Sequence, residues 1–376
     1  MTGDGTRCVR AGLPDPVPGQ PFLPGPVLAA PYHLDPTLGP RPGLDGYGRT
    51  DNPTWRALES ALGDLEGGDC VVFASGMAAI SALLLTVARP GDTVLLPADG
   101  YFQARAFAVD TLTGLGVTVR EAPTAGPYPP LDGVRLVLLE TPANPGLDVC
   151  DIAALAARAH DAGALVAVDS TAATPLGQQP LALGADFVVA SGTKALTGHS
   201  DLVLGYVAGA DVAGVRRWRD RTGAVPGPFE TWLAHRSLST LDIRLARQSA
   251  TAAAVAQLLA GRPDVSSVRW PGRPTDPAHP VAVRQMRRIP GIVTFLLPDA
   301  GYVARFLGAA RLVSAATSFG GPHTTADRRA QWGDPVPEGL VRLSCGLEDT
   351  EDIVADLAQA LDAAGRAGAP GGQGTG

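Results

Sequence analysis

Lysine is almost missing from this sequence. Lys194 stands alone beside 29 arginines, and the exception asks for a reason. A chain rich in Ala, Gly, Pro and Arg is what a codon bias would leave after exchanging every replaceable lysine, so a lone survivor can be an accident. Arginine substitutes well where a surface cation is enough. It fails where a primary amine must shed its proton and attack a carbonyl, because the guanidinium keeps its charge. Lys194 is therefore a candidate Schiff-base former.

Other absences narrow the field. Cys8, Cys70, Cys150 and Cys345 are scattered, with no CxxC pair and no histidine at ligand spacing, so neither a zinc site nor a disulfide framework is suggested and no metal is expected. No window approaches 18 uninterrupted apolar residues, and the first residues carry no apolar signal core; a cytoplasmic protein is expected. There is no basic run. A formal charge of −7 and a pI near 5.4 argue against nucleic acid or an anionic membrane as partner. What is present is a 376-residue chain, 45% hydrophobic and 18% charged, long enough for a large core and more than one domain.

Residues 1–47 are rich in Pro and Gly from residue 12 and read as an extended arm, which needs another surface to lie on. From Thr54 the pattern changes. "TWRALESALGDLE" reads as an amphipathic helix capped by Asn52 or Thr54, and "CVVFA", "TVLLP", "VRLVLLE", "ALVAVD", "DFVVAS" and "LVLGYVAG" read as short buried strands alternating with helices. That alternation predicts an α/β fold with a large, mostly parallel sheet covered on both faces. A long helical stretch over 230–261, broken near Ser237 to Thr240, leads to "SVRWPG", "GIVTFLLP" and "LVRLSCG" with two more helices, the outline of a smaller α+β domain. The expected division is 48–245, 246–365 and a disordered tail at 366–376.

In open α/β sheets ligands bind beyond the carboxyl ends of the strands. Here those ends carry "SGM" at 75–77, "DGY" at 99–101, "TPAN" at 141–144, Asp169 and "SGTK" at 191–194. Gly76 and Met77 would open a helix whose free N–H groups favour a phosphate. Ser191 and Thr193 add hydroxyls, Asp169 can pair with a protonated ring nitrogen, and Tyr101 can stack on a heterocycle or carry a proton. Each alone has an ordinary reading as turn, cap or packing. Together with Lys194 they describe pyridoxal 5'-phosphate held as a Schiff base.

"YGRTDNPTWRALE", "FASGMAAI", "ETPANPGLDVCDI", "VDSTAATPLGQQPLALGADFVVASGTKALTGHSD", "ATSFGG" and "LVRLSCGLEDTEDIVADLAQAL" resemble, in that order, the Cys/Met-metabolism family of fold-type-I pyridoxal phosphate enzymes, over residues 45 to 362. The resemblance implies a seven-stranded sheet and that Lys194 carries the cofactor and shuttles protons. It also implies that Asp169 pairs with the pyridinium, Tyr101 stacks on the ring, and Gly76, Met77, Ser191 and Thr193 hold the phosphate. Tyr47 and Arg49 would reach the phosphate of a neighbouring subunit, so a homodimer or homotetramer with shared sites is expected. Asn144 would lie near the ring hydroxyl, Ser318 at the reacting end, and Arg342 would grip the substrate α-carboxylate. Without the resemblance, Arg342 reads as a surface ion pair with Glu348 or Asp349, and Tyr47 and Arg49 as a turn.

The implied activity is γ-elimination on a sulfur amino acid, cystathionine first among them; γ-replacement on an activated homoserine and methionine γ-lyase chemistry are close alternatives. A non-catalytic pyridoxal-phosphate-binding protein is the alternative of another class. Several positions depart from the family pattern. Gly46 stands where many members carry an acidic residue, Pro322 and His323 follow "SFGG", Ser170 replaces a family asparagine, and the segment after His323 is short. These bear on the substrate, and they weaken a distal amino-group contact. His199 reads as a loop-ordering residue.

Overall fold

A computed structural model describes residues 3–37 and 45–368. The larger sheet is built from β1 (Asp69–Phe73), β2 (Thr93–Pro97), β3 (Thr118–Ala122), β4 (Val134–Glu140), β5 (Leu165–Asp169), β6 (Phe187–Ser191) and β7 (Gly205–Gly209), in the spatial order β1-β7-β6-β5-β4-β2-β3. Only β7 runs against its neighbours, so six strands deliver their carboxyl ends to one rim. The central strands are buried on both faces, which is why they read as unbroken apolar runs.

The β3 strand escapes the sequence reading. It lies at the sheet edge and carries Arg120 and Glu121, so neither continuity nor clean alternation marks it. "LVLGYVAG" becomes strand only from Gly205, because Thr193 Oγ donates to the Leu204 carbonyl and accepts from its N–H, tying that residue to the loop after Lys194.

The helix Pro53–Glu66 covers one face, and Asn52 rather than Thr54 is its cap, accepting from the Thr54 N–H at 2.8 Å. Glu59 on that helix is buried between Arg216 and Arg219, each 2.6 Å away, and accepts from the Val72 N–H at 3.0 Å. This ties helix to strand. The opposite face packs the helices Gly76–Val87 and Ala213–Thr222.

The smaller sheet contains β8 (Ser267–Arg269), β9 (Ile292–Leu296), β10 (Ser314–Ala315), β11 (Thr325–Arg328) and β12 (Leu340–Ser344), ordered β10-β11-β12-β9-β8 and antiparallel except for β10 with β11. Its core faces the helices Leu241–Ala260, Ala300–Ala309 and Thr350–Gly368.

The long helical stretch breaks at Ser239 and Thr240, into Pro228–Leu238 and Leu241–Ala260. The second piece corrects the boundary drawn at 245/246. One uninterrupted helix serves both cores, with Leu241 and Leu245 against the large sheet and Val255 and Leu259 against the small one. The arm also needs correction. Asp4–Arg10 is a helix with Cys8 buried in the chain's own core, and Val27 bonds Thr54 and Asn52 of the same chain. Beyond it the arm is extended and leaves Phe22, Leu28 and Leu34 exposed. Residues 366–368 complete the last helix rather than opening a tail, and the rest of the expected tail lies outside the described residues.

Candidate active site

The rim of the large sheet and the face of the small one enclose a cavity of about 490 Å³. Gly76, Met77, Tyr101, Asn144, Asp169, Ser191, Thr193, Lys194, Ser318 and Arg342 all line it. Tyr47 and Arg49 do not. They are exposed, with the Arg49 guanidinium 5.5 Å over the Tyr47 ring and bonded to the Asp220 carbonyl.

Lys194 follows β6 at a turn. Its Nζ donates to Ser318 Oγ at 2.7 Å and lies 5.4 Å from the centre of the Phe319 ring. Desolvation, then the charges of Arg342 and Arg329, push the amine down to about 8. Ser318 holds a left-handed backbone, φ 74°, a costly conformation for a residue with a Cβ. The strain has a use: its hydroxyl meets Lys194 while its carbonyl accepts from Arg342 Nη2 at 3.0 Å.

Arg342, on β12, is 4% exposed. The surface-pair reading with Glu348 or Asp349 is overturned: Nη1 donates to Asn144 Oδ1 at 2.6 Å, and Nη2 reaches Asp327 at 3.4 Å. Asn144 thus spends its carbonyl on Arg342. Among the described residues, two of the five guanidinium N–H groups remain unclaimed.

Asp169 ends β5, and its Oδ1 accepts from the Thr171 N–H and hydroxyl. Directly across on β4 lies Glu140, a residue to which the sequence reading gave no role. Burial first, and the neighbouring Asp169 second, lift Glu140 to about 8; burial also raises Asp169. Glu140 accepts from the N–H of Tyr101 at 2.6 Å and of Asn144 at 2.9 Å. One carboxyl therefore fixes two cavity walls. A charged strand end is an ordinary feature, so only the three-dimensional pairing reveals it.

At the other end, Ser75 Oγ caps Ala78 N–H, which leaves the first two N–H groups of the helix Gly76–Val87 facing outward. A Cβ on Gly76 would stand 2.8 Å from the Ser191 Cβ, so only glycine lets these segments close up. Thr193 lines the cavity, but its hydroxyl and its N–H both donate to Leu204 O. Its hydroxyl hydrogen, expected to serve a phosphate, is spent here on a loop bond. His199 bonds the Thr197 carbonyl, outside the cavity lining, and His323 is exposed. Arg329, Trp332, Phe319 and Thr171 also line the wall and carried no signal in the sequence.

Residues 39–362 match the family model described as Cys/Met metabolism PLP-dependent enzyme. The chain belongs to that family. It is 57% identical over 373 residues to a Streptomyces coelicolor protein provisionally named cystathionine gamma-lyase, covering 96% of this chain and 94% of that one. It is 39% identical to a cystathionine gamma-synthase of Mycobacterium tuberculosis, covering 96% and 97%. A crystal structure of cystathionine gamma synthase from Xanthomonas oryzae in complex with cystathionine superposes with a TM-score of 0.92 at 33% identity, covering 97% of this chain and 99% of that one.

The residues present fit pyridoxal phosphate. The Gly76 contact leaves an N–H-lined cradle for a phosphate, and a buried carboxyl at Asp169 gains its charge back only beside a cation. The desolvated amine of Lys194 lines the same cavity. No helix among the described residues is long and apolar enough to cross a membrane.

Proposed function

We propose that this protein catalyses γ-elimination on a sulfur amino acid, taking L-cystathionine to L-cysteine, 2-oxobutyrate and ammonia. One observation carries the reading: Ser318 binds Lys194 through its hydroxyl and Arg342 through its carbonyl. An amino acid whose α-carboxylate sits on the free N–H groups of Arg342 therefore brings its Cα beside the Lys194 amine.

Bound pyridoxal phosphate supplies an electron sink for charge developing at Cα. Asp169 would hold the ring nitrogen protonated, while Gly76, Met77 and Ser191, with Thr193 once its hydroxyl turns from Leu204, would hold the phosphate, and Tyr47 and Arg49 would reach in from a neighbouring subunit of a homodimer or homotetramer. Lys194 removes the Cα proton and then works at Cβ. Tyr101 would flank the ring, and burial beside Glu140 keeps its phenol protonated, fit to deliver a proton to the departing sulfur. Asn144 holds Arg342 in place for the carboxylate.

The resemblance to a γ-synthase supports a second reading, replacement on an activated homoserine. Giving the cofactor-loaded protein L-cystathionine alone and identifying products by mass spectrometry separates them. Cysteine with 2-oxobutyrate is expected. Homocysteine with pyruvate would overturn γ-chemistry, and product formed only from a homoserine ester plus a thiol would establish replacement.

A further inference from the structure

The wall contributed by the small sheet carries a second arginine beside Arg342. Asp327 lies opposite Arg342 in the β11–β12 register and is 3% exposed. Its Oδ2 accepts from Arg342 Nη2 at 3.4 Å and from Arg329 Nη1 at 3.0 Å, so one buried carboxylate mounts two guanidinium groups. Asp334 grips Arg329 from another side, with Oδ2 at 2.8 Å from Nε and 2.6 Å from Nη2. Arg329 and Arg342 line the cavity; Asp327 and Asp334 do not. The carboxylates thus stand behind the arginines, and Arg329, like Arg342, keeps two of its five N–H groups unclaimed among the described residues.

The other charges in the cavity decide what Arg329 can receive. Among the described residues, the acidic ones lining the cavity are Glu140 and Asp169, at the ends of β4 and β5, where the cofactor ring is proposed to lie. Among the described residues, a distal ammonium on the substrate finds no carboxylate lining the small-sheet wall. A distal carboxylate finds Arg329. Arg329 lines the same cavity as Lys194 and Tyr101, so one bound molecule can touch all three walls.

We infer that Arg329 is a specificity-determining residue that binds a second, distal carboxylate of the amino acid whose α-carboxylate lies on Arg342. The inference rests on the reading of Arg342 as the α-carboxylate site. It selects dicarboxylic substrates, such as thioethers or esters ending in a carboxylate, over substrates with an apolar end such as methionine.

Two non-reacting probes test it on the holoenzyme by calorimetry. L-2-aminosuberate has the backbone length of cystathionine and a distal carboxylate without the distal ammonium; L-2-aminooctanoate has the same length and an apolar end. The wild type is expected to bind the first at least about 10-fold more tightly, the worth of one charged hydrogen-bonded contact. Arg329→Gln erases that preference while leaving L-2-aminooctanoate within about 3-fold. Because that variant leaves two buried carboxylates short of a cation, the double variant Arg329→Gln/Asp334→Asn serves as the second arm and must give the same result. Equal binding of the two probes by the wild type, or a preference that survives in the variants, would overturn the inference. A parallel loss of both probes would mean that Arg329 merely props Arg342 and overturns it too. Release of 2-oxobutyrate from cystathionine is scored separately. Turnover without the preference sinks Arg329 alone, and the preference without turnover sinks γ-elimination alone.

Discussion

Lys194 carries the argument at the scale of single residues. Its amine is half-buried in the cavity and faces two arginines; desolvation and the charges of Arg342 and Arg329 disfavour the ammonium form, against the 5.4 Å contact with the Phe319 ring, which favours it. With its pKa brought down to about 8, roughly a tenth is free amine at neutral pH and about half is so one pH unit higher, a nucleophile that a guanidinium never becomes. The scarcity of lysine pointed to this residue, and the position of Asp169 at a strand end pointed to its counterpart. Glu140, Asp327 and Arg329 were not legible. Glu140 acts through a cross-strand neighbour and two backbone N–H groups, and the Arg329 pairings depend on a turn whose path no periodicity announces.

Strands with a continuous apolar run were read well, even at an edge as with β1, and most strands without one were not. The β4 and β5 strands appear in the sequence as continuous apolar runs, whereas β3, β10 and β11 are short or half-exposed edge and near-edge strands with no such run. The helix Pro53–Glu66 hides a further feature at its last residue. Glu66 is 1% exposed, accepts from the Tyr206 hydroxyl at 2.5 Å, and is lifted by burial from an ordinary 4.5 to about 7. Between those values the folded chain keeps a proton that the unfolded chain has released. The stability this confers is complete below about 4.5 and is lost as pH rises through about 7. Glu66→Gln keeps an acceptor for Tyr206 and removes the titration. Thermal or urea unfolding from pH 4.5 to 7 should show the wild type losing about 3 kcal/mol relative to the variant; parallel curves would contradict the assignment.

For the whole molecule, the proposed reach of Tyr47 and Arg49 into a neighbour would put parts of one site on two chains. The Tyr47 and Arg49 side chains lie outside the cavity of their own chain, and the arm before them exposes Phe22, Leu28 and Leu34. If Arg49 serves a neighbour's cofactor, Lys194→Ala and Arg49→Ala lose activity separately. Refolded together at equal amounts they regain about a quarter of wild-type turnover, because random dimers of a two-fold assembly contain one intact site in every mixed pair. No recovery would confine each site to a single chain. Underneath every step lies the claim that Lys194 is the amine that holds the cofactor. Borohydride reduction of the cofactor-loaded protein, followed by digestion and mass spectrometry, tests it in a chain with no other lysine. The account predicts a single pyridoxyl adduct, on the peptide that contains Lys194; an unmodified Lys194, or an adduct found only on the N-terminal amine, would contradict it.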